Sequence, residues 1–369
     1  MESRRSIFLD FTIILTLFVL MSLFCIWTAS YYAGLRIADN GLFYIKRHVI
    51  MLIIGLFVYR FTAKMNVRQL LSVSYSVHLV SMFLLFLVLI PGLGVMVNGA
   101  RQWLNIGFTR FQPSEWAKLS LIIYLTAEFT RIAMDKFGNS RAFLERRALV
   151  VTAITAMLVL MEKDFTTALF MIVFFGVIYF VSSPKLTMFW VTTCGLAVMT
   201  GVFLSSGAAY RIARVHEWYN FIIGKTGPAA QLKFSLLAFS HGGISGVGYG
   251  AGEYKKMLPE AHTDFMFAVM GEELGFIFLL AIVALYIIVL IKLFFMIKAS
   301  TEAYQFYLTV LALILFVGQA IINIGVTVGV FPITGMTLPI LSYGRTSVIM
   351  FMILLGLLRS IEKDIIRGK

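Results

Sequence analysis

Long apolar runs recur along this chain, and short polar or charged segments separate them. A membrane-spanning helix needs about 20 apolar residues to cross about 30 Å of hydrocarbon. Continuous runs without the alternation of a membrane β-barrel predict an all-α, polytopic bundle of about ten transmembrane helices. The predicted spans are residues 7–28, 47–62, 71–91, 113–132, 147–162, 164–183, 186–205, 265–293, 303–330 and 338–360.

The predicted spans form one domain over residues 1–369, with one large extracytoplasmic loop at about 206–264, between spans seven and eight. The first run resembles the apolar core of a signal peptide, but its length predicts a retained helix. Composition agrees with a membrane protein, because 60% of the residues are hydrophobic and only 13% are charged. A soluble domain is about 45–50% apolar, so that class is excluded.

The distribution of basic residues predicts the orientation of the bundle. An even number of spans places both termini on one side. Short loops and tails on that side carry 17 Lys and Arg residues, against eight on the opposite side. Short cytoplasmic loops are enriched in Lys and Arg, so both termini are predicted to be cytoplasmic.

A group of basic residues lies on the outer side, against this bias. The formal net charge is +13, but the basic residues build no separate basic domain. They therefore favour anionic lipid headgroups or an anionic substrate over nucleic acid. The alternative is that they are ordinary solvated loop charges. The members of the group are Arg101, Arg110, Arg211, Arg214, Lys255 and Lys256.

The large outer loop contains a glycine-dense segment, His241 to Gly252. Glycine permits unusual backbone angles and a close approach to a ligand. The segment matches no phosphate-binding or dinucleotide-binding pattern, and no predicted strand precedes it, so it does not indicate a nucleotide site. Contact with a ligand and a purely structural role both stay open.

Ionisable groups in or beside membrane spans are costly and mark functional sites by default. Two polar sets precede the large loop. The first runs from the loop with Arg101 and Trp103 to Glu115 and Lys118 at the start of span four, where Glu115 and Lys118 are spaced to neutralise each other. The second is the charged break at residues 162–164, for which a tight turn is the simpler reading.

Two further polar sets follow the large loop. The third includes His262, Asp264 and Glu272, and Asp264 lies where a carboxylate alternatively caps a helix. The fourth begins at Asn323 and continues to Ser342 through glycines and prolines that predict a broken or re-entrant segment lining a cavity. All four sets lie on the predicted outer side and are expected to converge on one site.

A metal site is only weakly indicated. The spacing of Glu260, His262 and Asp264 fits no well-defined zinc pattern. No cofactor is required by the sequence, and a divalent cation such as Mg²⁺ or Mn²⁺ that assists a diphosphate stays open.

The polar sets carry motifs by which the chain resembles the SEDS family, whose members include FtsW, RodA and SpoVE. The resemblance covers nearly the whole length and is closer to FtsW than to RodA. Residues 163–166 and Arg345 depart from the usual pattern. The matching motifs are Asn98-Gly99-Ala100-Arg101-x-Trp103-Leu104, Phe111-Gln112-Pro113-Ser114-Glu115 with Lys118, Tyr210-Arg211-x-x-Arg214, residues 258–265 with 271–275, and Ile322-Asn323-Ile324-Gly325 through Ser342-Tyr343-Gly344.

The resemblance implies a peptidoglycan glycosyltransferase of the bacterial cytoplasmic membrane, which polymerises lipid II and releases undecaprenyl diphosphate. The essential aspartate of the family corresponds to Asp264. The implied partner is a class B penicillin-binding protein, a transpeptidase supplied in trans, within a division or elongation complex. A lipid II flippase or another transporter is the alternative class, and a pure scaffold is a third.

This chemistry assigns roles to the candidate residues. Asp264 is predicted to be the catalytic base. The residues predicted to bind the diphosphate or the sugars are Arg101, Trp103, Arg211, Arg214, Lys255 and His262. The residues predicted to support the site are Glu115, Lys118, Glu272, Asn323 and Ser342.

Overall fold

The computed structural model describes residues 10–97, 99–107, 109–135, 140–183, 195, 197, 201 and 209–368, without the side chains of residues 109 and 209–212. Helices dominate this part of the chain. They are α1 (Phe11–Ala38), α2 (Phe43–Thr62), α3 (Val67–Ser72), α4 (Ser74–Leu89), α5 (Pro113–Met134), α6 (Arg141–Met161), α7 (Phe165–Ser182), α8 (Ala209–Ile222), α9 (Ala230–Gly242), α10 (Met266–Ala299), α11 (Ala303–Thr327) and α12 (Arg345–Arg367).

Nine of the ten predicted spans coincide with helices in the described residues, and the seventh, 186–205, lies almost entirely outside them. By length and composition alone, α1, α7, α10 and α11 are long and apolar enough to cross a membrane. Large apolar side chains on the outer helix surfaces are exposed, as expected for contact with lipid: Phe57 is 75% exposed and Ile277 is 64% exposed.

The structure adds detail to the predicted spans in two places. The last helix, α12, begins at Arg345, whereas span ten was predicted from residue 338. The large loop is also partly helical, because it contains α8, α9 and a short 3₁₀ helix at Tyr254–Lys256. Apolar composition cannot separate a helix from a buried irregular segment, so these boundaries were not predictable from it.

A small antiparallel sheet precedes α5, in a region that the hydropathy pattern treats as loop. Its strands are β1 (Gly94–Val97), β2 (Ala100–Ile106) and β3 (Thr109–Phe111), in the order β1-β2-β3. Gly99 and Gly107 have positive φ angles of 76° and 57° at the two turns. The Asn98-Gly99 dipeptide is a strong hairpin signal, so the first hairpin was readable from the sequence.

Helix α5 is the central helix of the bundle. It contacts α4, α6, α7, α11 and α12. Its side chains from Pro113 to Phe129 are almost all buried. Polar side chains on α5 therefore face other helices and not lipid, which makes Glu115 and Lys118 part of the protein interior.

Helix α10 is interrupted at Gly275, where the backbone has φ 74° and ψ −175°. The amides of Phe276 and Ile277 donate to the carbonyls of Gly243 and Ile244, at 3.0 and 3.3 Å. The loop after α9 therefore supplies carbonyl acceptors for the amides that lose their partners within α10 at the break. Such backbone angles are essentially restricted to glycine, because a Cβ atom makes them strained.

The glycine-dense segment returns hydrogen bonds to the same break. The amides of Val247 and Gly248 donate to the carbonyls of Glu272 and Glu273, each at 3.0 Å. A Cβ at Gly246 would lie 2.2 Å from the Glu273 carbonyl oxygen. The glycines allow the backbones of the loop and of α10 to touch. This close contact explains why the segment is rich in glycine.

We predict that Gly275→Ala lowers the stability of the folded chain by about 1–3 kcal/mol, because alanine at this position is strained. Its Cβ would also lie 2.4 Å from the Gly246 amide nitrogen. Thermal unfolding in detergent measures the effect. Gly227→Ala is the matched control, since nothing lies within 4 Å of a Cβ there. Equal unfolding temperatures for the two variants would contradict this account of the break.

Candidate active site

Asp264 lies just before α10, where the backbone is fixed from two sides. Its amide donates to the Glu260 carbonyl at 3.1 Å. The Asn323 side-chain amide, from α11, donates to the Asp264 carbonyl at 2.9 Å. The same amide donates to the Met336 carbonyl at 2.6 Å. Asn323 thus joins the start of α10 to the segment between α11 and α12.

The Asp264 carboxylate does not cap α10. The N-cap residue is Phe265, and no side-chain capping bond is present there. The carboxylate lies instead beside Gly335, at which a Cβ would be 3.6 Å from Oδ2. Gly335 belongs to the irregular segment 328–344, the segment predicted to be broken. Asp264 as a whole residue is half-buried.

The surroundings of Asp264 raise the pKa of its carboxyl to about 7. Burial is the main cause and the negative charge of Glu260 adds to it, while the Thr263 hydrogen bond and the positive charge of Arg214 act in the opposite direction. A carboxyl group with a pKa near neutrality is a far better proton acceptor than an ordinary aspartate.

His262 forms an aromatic wall next to Asp264. Its ring centroid lies 4.2 Å from that of Tyr44 and 5.4 Å from that of Tyr343. Burial lowers the pKa of His262 to about 4, so the ring is neutral near pH 7. Within the described part of the chain, its buried Nδ1 has no hydrogen-bond partner. His262 is therefore a buried, uncharged ring with one unpartnered nitrogen.

Two arginines that were not predicted as site residues lie close to this wall. The guanidinium groups of Arg47 and Arg345 both act electrostatically on the hydroxyl groups of Tyr44 and Tyr343. Neither arginine forms an ion pair with another described residue. Their position on the predicted outer side, against the usual charge bias, was the available signal. Arg345 had been noted only as a departure from the family pattern.

The structure places the other predicted arginines at different positions around the site. Arg214, on α8, is close enough for its charge to act on Asp264. Arg101 and Trp103 lie on β2, where they are half-buried and pair in register with Met96 and Val95. The side chain of Arg211 lies outside the described residues.

Glu115 and Lys118 form a fully internal ion pair on α5, as their spacing predicted. The Lys118 ammonium is completely buried and lies 2.8 Å from Glu115 Oε1. It also donates to Gln319 Oε1 on α11 at 2.9 Å. The Gln319 amide in turn donates to the Thr337 carbonyl at 3.0 Å. This polar chain therefore holds segment 328–344 against α5 and α11.

The charged break at residues 162–164 is a tight turn between α6 and α7. Asp164 accepts a hydrogen bond from the Thr167 amide at 3.0 Å and so caps α7. Burial raises the pKa of Asp164, and the charge of Lys118 opposes this effect. Lys163 has a φ angle of 69°, and its ammonium donates to the Gly99 carbonyl at 2.7 Å. Lys163, one of the residues that depart from the family pattern, thus connects this turn to the β1–β2 hairpin.

Lys255 makes contacts that differ from the predicted diphosphate contact. Its ammonium is buried, lies 2.5 Å from Glu273 Oε1, and donates to Thr28 Oγ1 and the Gly250 carbonyl at 2.9 and 2.8 Å. All three of its protons are therefore satisfied inside the protein. In this structure Lys255 holds the glycine-dense loop between α1 and α10.

Glu272 has a similar structural position. It is fully buried and accepts from the amides of Glu253 and Tyr254 at 2.8 and 3.2 Å. Its Oε1 also lies 3.0 Å from His241 Nδ1. Glu272 supports the predicted site only indirectly, because it fixes the loop that completes the break in α10.

Ser342 fixes the end of the irregular segment. Its hydroxyl accepts from the Leu338 amide at 3.0 Å, and its own amide donates to the Leu338 carbonyl at 3.0 Å. The Tyr343 amide donates to the His262 carbonyl at 2.9 Å. Ser342 and Tyr343 thus hold segment 328–344 against the residues that precede α10.

A metal cluster is not formed by the described residues, which contain no group of three or more His, Cys, Asp or Glu arranged to hold an ion. The positive charge near Asp264 comes from arginine side chains.

Comparison with known proteins places this geometry in context. Residues 9–365 match the model of the cell cycle protein family of FtsW, RodA and SpoVE. A probable peptidoglycan glycosyltransferase FtsW from Methylomonas methanica is 32% identical over 87% of this chain and 83% of its own. Stage V sporulation protein E from Bacillus subtilis is 31% identical over 95% of this chain and 96% of its own.

A solved structure shares the fold. One chain of a peptidoglycan synthase complex, studied for the coordination of polymerization and crosslinking, has a TM-score of 0.74 and 26% identity. The match covers 96% of this chain and 97% of that chain. The predicted polytopic helical membrane fold is confirmed.

We predict that Lys118→Met lowers the free energy of unfolding by about 3–5 kcal/mol, because it leaves a buried carboxylate without its cation. The double variant Glu115→Gln/Lys118→Met should recover part of this loss. Unfolding of the purified protein in mixed detergent micelles measures both. Lys298→Met, which removes an exposed cation from α10, is the control. A double variant that is less stable than Lys118→Met would contradict the pairing.

We also predict that Asp264 titrates with a midpoint of about 7. Infrared pH-difference spectra should show a protonated carboxyl band that is absent from Asp264→Asn. Glu260→Gln should lower the midpoint because it removes a negative charge, and Arg214→Gln should raise it because it removes a positive one. A midpoint below 5 for this band would disprove the proposed environment of the carboxyl.

Proposed function

The chain belongs to the FtsW, RodA and SpoVE family of cell cycle proteins, and from this we propose that Asp264 is the base with which it polymerises lipid II. As a multi-pass member of this family, the chain is a peptidoglycan glycosyltransferase. The observation that supports the role of Asp264 best is a half-buried aspartate on a fixed backbone, whose carboxyl has a pKa of about 7 and feels the charge of Arg214.

In the proposed step, the 4-hydroxyl oxygen of the acceptor sugar attacks the anomeric carbon of the donor. The hydroxyl proton passes to an Asp264 carboxylate oxygen. The bond between the anomeric carbon and the diphosphate oxygen breaks, and its electron pair leaves with undecaprenyl diphosphate. Attack from the opposite face inverts the anomeric carbon, so an α-linked donor gives a β-linked strand.

One carboxylate is sufficient for this reaction. A glycosidase uses two, because its alcohol leaving group must be protonated. A diphosphate instead leaves as a stable anion and needs positive charge nearby. Arg214 is the described arginine whose charge acts on Asp264, and we propose that it binds the diphosphate together with Arg101 and Arg211.

The pair Arg47 and Arg345 provides a second positively charged area at the same end of the bundle. Neither group is engaged by a carboxylate among the described residues, so both are available to an anion. We propose that they bind an anionic part of lipid II next to Tyr44, the half-buried ring that packs against the buried His262 and Tyr343.

We place this site at the outer face of the bacterial cytoplasmic membrane, with both termini in the cytoplasm, because of the distribution of Lys and Arg. We propose a class B penicillin-binding protein as the transpeptidase partner, and a role in cell division because several of the relatives are FtsW proteins. A Mg²⁺ or Mn²⁺ ion is proposed only as a companion of the diphosphate.

We predict that Asp264→Asn lowers the rate of lipid II polymerisation by about 10²–10⁴-fold, because a positioned general base contributes that much. The assay uses the purified chain with its partner and defined lipid II in liposomes. The control is Asp39→Asn, an exposed aspartate in the loop after α1. Normal glycan synthesis by Asp264→Asn would rule out the assignment. Transfer of lipid II across the bilayer without glycan product would instead favour a flippase.

A further inference from the structure

A cavity of about 450 Å³ lies at the end of the bundle opposite to Asp264. It is formed where α2 and α12 end and where α3 and α11 begin. Four cationic side chains and one carboxylate line it: Lys64, Arg68, Lys363, Arg367 and Asp364. The volume is within the range of small-ligand sites, about 300–1,000 Å³. None of these residues belongs to the glycosyltransferase site described above.

The walls of this cavity are held by hydrogen bonds between its elements. The Ser360 hydroxyl donates to the Met65 carbonyl at 2.7 Å. The Lys363 ammonium donates to the Ala63 carbonyl at 2.9 Å. Both bonds fasten the end of α12 to the turn after α2. The shape of the cavity is therefore set before any ligand enters.

The acidic groups around the cavity are themselves engaged. Asp364 accepts a hydrogen bond from the Tyr304 hydroxyl at 3.2 Å. Glu302 lies 3.5 Å from Arg68, but both side chains of that pair are exposed, so its attraction is weak in water. Lys64 and Arg367 form no ion pair with another described residue. The cavity keeps an excess of positive charge and of N–H donors.

The rim of the cavity combines this charge with apolar surface that faces lipid. Phe61 is 62% exposed, and its carbonyl accepts from the Lys64 amide at 3.1 Å. Ile366, which precedes Arg367 in α12, is 38% exposed. A ligand that fits both features has an anionic headgroup for the cavity and an acyl chain for the adjacent helix surface.

We propose that this cavity binds the phosphodiester of an anionic glycerophospholipid such as phosphatidylglycerol. Arginine and lysine donate charge-assisted hydrogen bonds to phosphate oxygens. Basic pockets between membrane helices on the cytoplasmic side are suited to such headgroups. The proposal is independent of lipid II polymerisation, because it concerns the opposite end of the bundle.

The test is native mass spectrometry of the full chain in detergent, with phosphatidylglycerol and phosphatidylcholine as probes. The wild-type chain should retain phosphatidylglycerol at least about tenfold more tightly. Lys64→Gln/Arg367→Gln should weaken this binding by about 10- to 30-fold, since each basic residue near the surface contributes about fivefold. Both side chains are exposed, so this variant is expected to fold.

The matched control is Arg146→Gln/Lys298→Gln, which removes two exposed charges from the same predicted side of the membrane. It should change phosphatidylglycerol binding by less than about twofold. Equal losses in the two double variants would overturn the cavity as the site. Soluble glycerol phosphate that binds as tightly as phosphatidylglycerol would overturn the lipid as the occupant, and would assign the cavity to a free phosphate.

Discussion

The site depends on one side-chain amide, that of Asn323. In a bilayer, water cannot satisfy the carbonyls that an interrupted helix leaves free, so protein groups must do so. Asn323 Nδ2 donates both to the Asp264 carbonyl and to the Met336 carbonyl. It joins the first residues of α10 to the irregular segment before α12. Without this donor, the start of α10 and segment 328–344 lose the side-chain bond that joins them, and Asp264 is held less firmly.

The charged groups near this junction divide into two kinds. Lys118 and Lys255 are buried, and each is neutralised by a glutamate, Glu115 or Glu273. They hold backbone segments in place. Asp264 forms no ion pair among the described residues, and burial together with Glu260 raises its pKa to about 7. The surrounding protein thus stabilises the structural charges and leaves the Asp264 carboxyl able to exchange a proton near neutral pH.

The helices and the local ion pair were predictable from the sequence. The contacts between distant segments were not, for physical reasons. The helices follow from apolar runs, and the pairing of Glu115 with Lys118 follows from their spacing. The contacts of Lys255 do not, because Glu273 is 18 residues away from it in sequence and Thr28 is 227 residues away. The sequence left a ligand contact and a close backbone contact open for the glycine-dense segment, and the break at Gly275 distinguishes them. Arg47 and Arg345 are almost 300 residues apart in sequence, and only the fold brings both near Tyr44 and Tyr343.

The central claim is that a single carboxyl, tuned by its neighbours, accepts the proton during polymerisation. The most direct measurement is the rate of glycan synthesis against pH for the wild-type chain and for Glu260→Gln. The rate should fall on the acid side of about 7, since Asp264 must be ionised. This acid limb should move to lower pH in Glu260→Gln, because the variant lowers the pKa of Asp264. A rate that is independent of pH between 5.5 and 8, or an acid limb that Glu260→Gln leaves in place, would contradict the claim.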